Sequence, residues 1–85
     1  MENNKLIAEF MGDIPKYVIG HGKAYNKYKD YSKSWDWLMP VVQKCFDTQQ
    51  PSEGQHYFIN ESLLTMDIEV VYDRVVEFIK EYNDN

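Results

Sequence analysis

The residues best suited to chemistry crowd into one stretch, "KAYNKYKDYSKSWDW" at 23–37, where three tyrosines, two tryptophans and four lysines share fifteen positions. Lys23, Lys27, Lys29 and Lys33 could neutralise a phosphate, while Tyr25, Tyr28, Tyr31 and Trp37 offer faces on which a base could stack, as in single-strand and nucleotide sites. His21, set between two glycines, could contact the same anion. The competing reading is structural: the aromatics fill a small core and the lysines keep an edge strand soluble. A spacing of three places the tyrosines on one face of neither a strand nor a helix for long, so at least one should be exposed.

A second set is acidic. Glu69, Asp73, Glu77 and Glu81 recur at i, i+4, a ladder of like charges that costs about 0.2–0.5 kcal/mol per pair in an isolated helix. Solvation and screening, helped by Arg74 and Lys80, would offset it, or the ladder is a docking stripe for a basic partner surface. The chain is split accordingly. Residues 13–34 hold five lysines against two aspartates, whereas 47–85 hold nine carboxylates against Arg74 and Lys80, within a net charge of −5. So acidic a chain is a poor candidate for duplex nucleic acid, and any anion site must be local.

Catalytic parts are missing from the pattern, and the expectation is a protein that is not an enzyme. His21 and His56 are the only histidines, neither sits at i+3 or i+4 from another ligand type in a metal motif, and no phosphate loop or serine elbow occurs. No metal or cofactor is expected. Cys45, the single cysteine, excludes an internal disulfide and falls on an apolar helix arc, where a thiol is inert. Its solitude suits a reducing compartment, and with no apolar run near 20 residues the expectation is a cytoplasmic protein without a membrane anchor.

The elements that must position these residues form one α+β domain over 1–85, too short for two cores. Asn3 or Asn4 can cap a first helix with the stripe Leu6, Ile7, Phe10 and Met11, ended by Gly12. "KYVIG" (16–20) reads as a strand before the turn signal Gly20-His21-Gly22, and 23–33 as a second strand or a loop. A second helix starts at Ser34 or at Pro40, with Trp35, Leu38, Met39, Val42, Cys45 and Phe46 on one arc, Val41 at its edge and Trp37 outside it. "TQQPSEGQ" (48–55) reads as a loop and "HYFIN" (56–60) as a strand. From Thr65 or Asp67 the last helix carries Ile68, Val71, Tyr72, Val75, Val76, Phe78, Ile79 and Tyr82 on one face, wide enough to lie centrally. The expected order is α-β-(β)-α-β-α: a small antiparallel sheet of two to three strands packed with three helices.

The pieces "NKLIAEFMG" (4–12), "SWDWLMPVV" (34–42) and "IEVVYDRVVEFIKEYN" (68–83) resemble small bacteriophage and Bacteroidetes proteins near the phage ABA sandwich domain group. The resemblance implies helices enclosing a small sheet and a phage setting, hence a host cytoplasm, but no established activity. Three functions follow as expectations. One is an accessory protein that binds a host protein through Glu69, Asp73, Glu77 and Glu81, a host-interaction or anti-defence factor. Another is a sponge or sensor for a nucleotide-like anion, and the third is an assembly subunit. Opposite charges on two regions also make a homo-oligomer reasonable.

Overall fold

A computed structural model describes residues 2–20, 22–48 and 53–84, and within these the side chains of all but residues 2, 25 and 53–55. The chain runs α1 (Glu2–Met11), β1 (Lys16–Gly20), β2 (Lys23–Lys27), a 3₁₀ turn (Tyr31–Lys33), α2 (Trp35–Asp47), α3 (Glu53–Leu63) and α4 (Ile68–Asp84). The α+β class is as expected. Among the described residues the sheet has two strands, antiparallel, with Lys16 paired to Lys27, Val18 to Tyr25 and Gly20 to Lys23.

Helix α1 ends as its sequence requires. Gly12 takes φ +73°, and the Asp13 N–H reaches back to the Ala8 carbonyl at 2.9 Å, the closing bond of a glycine C-cap. Its start differs from expectation. The helix already includes Asn3 and Asn4, so Asn4 is free to accept the Tyr72 hydroxyl at 2.7 Å and the Tyr31 N–H at 3.4 Å, tying three elements together.

Helix α2 begins at Trp35, with Pro40 inside it. Ser34 occupies the N-cap without a side-chain bond, and its carbonyl accepts from Trp37 and Leu38. Asp36 and Pro40 are both exposed residues, so the bond that Pro40 cannot donate is missing on the outer side of the helix. The buried face is Leu38, Val41, Val42 and Cys45, an i, i+3, i+4, i+7 set. It is turned from the expected arc: Val41 lies in the core, while Trp35 and Met39 are exposed.

The largest departure is "HYFIN", which lies in α3 and not in a strand. Five residues of strand-like type were too short a window to show the period. Extended to 63, the same residues place His56, Ile59 and Leu63 on one helix face, with Ile59 fully buried. Asp67 caps α4, accepting the Glu69 N–H at 3.0 Å. Helix α4 buries Val71, Val75, Val76, Phe78 and Ile79 and touches α1, α2, α3 and the 3₁₀ turn, the central position expected of it.

Helices therefore make the core, joined from outside them by the buried Tyr31 and the half-buried Tyr28. Among its described side chains the hairpin supplies no buried residue to the core, and it stands beside the helices rather than between them. Ile14, Tyr17 and Ile19 are 92%, 68% and 75% exposed.

Candidate functional site

Strand register decides which lysines meet. Lys16 and Lys27 are direct cross-strand neighbours, and alternation puts both on the face that also carries Val18. At this root of the hairpin a cleft of about 300 Å³ is lined by Ala8, Asp13, Ile14, Pro15, Lys16, Lys27, Tyr28, Lys29 and Tyr31. Three ammonium groups share it with one carboxylate. Lys29 Nζ is 4.0 Å from Asp13, whereas the side chains of Lys16 and Lys27 have no ion-pair or hydrogen-bond partner among the described residues.

The far wall is fixed by a polar network. The buried Tyr31 donates its hydroxyl to Asp13, and burial, then that carboxylate, push its phenol well above the ordinary range, so it remains a neutral donor. Asp30 caps the 3₁₀ turn, accepting the Ser32 N–H at 3.1 Å and hydroxyl at 2.6 Å, and the hydroxyl bond chiefly holds its carboxyl below the usual value. With Tyr31 N–H on Asn4, segment 28–33 is anchored to α1.

Of the candidate residues, Lys27, Tyr28, Lys29 and Tyr31 are thus brought together. Lys23 is at the opposite end of β2, Lys33 ends the 3₁₀ turn, and Trp37 is on α2; none lines the cleft. Trp37 offers no face to this cleft, and Tyr31, 1% exposed, has none free for stacking. Tyr28 is half-buried against the core. His21 and the Tyr25 side chain lie outside the described residues. Lys16 and Asp13 are the members that the sequence reading missed. A two-residue turn after Gly20 fixes the register and so pairs 16 with 27, a signal that was present.

Elsewhere, Glu69, Asp73 and Glu77 are exposed along α4 and Glu81 is half-buried, while the Arg74 guanidinium lies 5.2 Å from the centre of the Phe58 ring. His56 is structural. Its Nε2 sits 2.9 Å from the Cys45 carbonyl and 2.8 Å from that of Thr48, capping α2, and its ring stacks on Phe78. Cys45 is fully buried, which pushes its thiol up to about 12. A groove of about 350 Å³ opens between α1 and the C-terminal ends of α2 and α4, but its cation, Lys44, is committed to the Phe10 carbonyl and ring. Among the described residues no three His, Cys, Asp or Glu side chains could share a metal ion, and no helix is long and apolar enough to cross a membrane.

Compared with protein-family models, with curated proteins and with solved structures, the chain matches none. The lysine cleft is therefore judged on its own geometry.

Proposed function

We propose that this is a non-enzymatic binding protein that holds a small anionic group, of the phosphate-bearing kind a nucleotide carries, in the cleft at the root of its hairpin. The observation that carries this is Lys16 directly opposite Lys27, with Lys29 on the same cleft. Like charges so placed destabilise a strand pair by roughly 0.2–1 kcal/mol, in a two-stranded hairpin that is marginal on its own. An anion between them turns the repulsion into attraction. Lys16 and Lys27 would take the phosphate oxygens, and Lys29, shared with Asp13, would complete the charge. Tyr28 would flank the bound group. Such a protein would act as a sponge or sensor.

Calorimetric titration with pyrophosphate, ADP and a cyclic nucleotide at low salt tests this. Binding should weaken as salt rises, and Lys27→Glu should lower affinity at least tenfold while Trp37→Phe leaves it unchanged. Absence of binding by all three probes at low salt would remove the reading.

A second reading is favoured by the exposure of Glu69, Asp73 and Glu77 on one side of α4: a basic surface of a host protein docking there. Charge reversal by Asp73→Lys and Glu77→Lys should then abolish partner capture without affecting anion binding.

A further inference from the structure

The hairpin's two outer edges are not alike. Two residues separate the paired Gly20 and Lys23, and a two-residue turn closes on a mutually hydrogen-bonded pair. By alternation Val18–Tyr25 and Lys16–Lys27 are pairs of the same kind, so the peptide groups of Tyr17 and Ile19 point off the free edge of β1. Among the described residues, nothing pairs with them. The side chains of the same two residues form the exposed apolar face of the hairpin. An edge that is open and apolar on one face, with its one charge, Lys16, at the end of the strand, is a template for another strand.

We infer that a second copy of this chain pairs with it, β1 against β1 in antiparallel register about Val18. In that register Tyr17 faces the partner's Ile19 and Ile19 the partner's Tyr17, so each pair exchanges both of its outward hydrogen bonds and every free edge group of the two strands is satisfied. Lys16 faces the partner's Gly20, so no ammonium meets another across the seam. The four large side chains join into one apolar strip on a four-stranded sheet. Charge selects this edge over the other. Symmetric pairing of β2 about Tyr25 would set Lys23 against the partner's Lys27 twice, a juxtaposition that disfavours it.

The contact is two-fold, so it closes as a dimer. Five residues a side bury less than the roughly 1,200 Å² of a tight interface, which makes the dimer weak and dependent on concentration. It does not rest on the anion-binding reading.

Cysteine cross-linking of the full chain tests the register, because Val18 faces its own copy at a close, non-hydrogen-bonded position, whereas the native Cys45 is buried. With copper phenanthroline as oxidant, Val18→Cys should give a disulfide-linked dimer and Tyr25→Cys should not. Ile19→Pro removes one outward N–H that the hairpin itself does not use. By sedimentation it should abolish the wild-type dimer at high concentration with the melting temperature little changed. Added salt should leave the wild-type dimer intact or strengthen it. Cross-linking of Tyr25→Cys in preference to Val18→Cys would overturn the inference, as would a wild-type monomer at every concentration. A dimer that dissociates in salt would also overturn it, assigning self-association to the acidic and basic regions instead.

Discussion

Lys27 weakens the strand pair it belongs to and completes the cleft beside it. Lys27→Glu should therefore do two opposed things. It replaces a like-charge neighbour of Lys16 with an ion pair, raising stability by up to about 1 kcal/mol in a denaturant melt, while weakening anion binding at least tenfold. A variant that loses stability would contradict the charge conflict at this position. The four clustered residues Lys27, Tyr28, Lys29 and Tyr31 were legible as a group because they are adjacent in sequence. Their division of labour was not, since only the tertiary bonds of Tyr31 to Asp13 and Asn4 show that its ring belongs to the core. Titration behaviour follows from the same burial. The unfolded chain releases the Cys45 proton near 9.0, but the folded chain holds it to about 12, so above pH 9 the unfolded state binds fewer protons. Stability should be intact below pH 9 and fall as pH rises from there toward 12, with Tyr31 and Tyr72 adding in the same direction. Denaturant melts at pH 7, 9 and 11 check this, and Cys45→Ala should flatten the slope.

At the scale of elements, helices were readable where apolar residues repeat over several turns, and strands where a glycine turn separates them. Helix α4 has both its stripe and its Asp67 cap in the sequence. Helix α3 is harder to read: its buried stripe is thin, with Tyr57 and Phe58 exposed, and its aromatic and β-branched run mimics a strand. Tertiary burial of Ile59 and the capping bond of His56 decide it. The α3–α4 turn carries a local cost that no propensity shows. Met66 sits at φ +58° with its side chain 86% exposed, a left-handed position that suits glycine. Met66→Gly should raise stability by about 0.5–1 kcal/mol, a rise of a few degrees in melting temperature. A lower melting temperature would show that the Met66 side chain contributes more there than its exposure allows.

For the molecule as a whole, the helices hold the core, and the hairpin stands apart carrying Lys16, Lys23 and Lys27 and no carboxylate. The split between a basic 13–34 and an acidic remainder was visible in the sequence, and the fold turns it into a lysine-bearing arm on an acidic body. What the sequence left open was which lysines converge, because that depends on register and on the anchoring of 28–33 to α1. The most direct measurement is a pyrophosphate titration of the full chain at low salt, followed by backbone amide chemical shifts. Shifts should saturate and concentrate at residues 13–16 and 27–31, leaving α4 and the neighbourhood of Trp37 unmoved. Shifts that never saturate, that spread evenly over the exposed lysines, or that centre on Lys44 and its groove would contradict a binding site in the hairpin cleft.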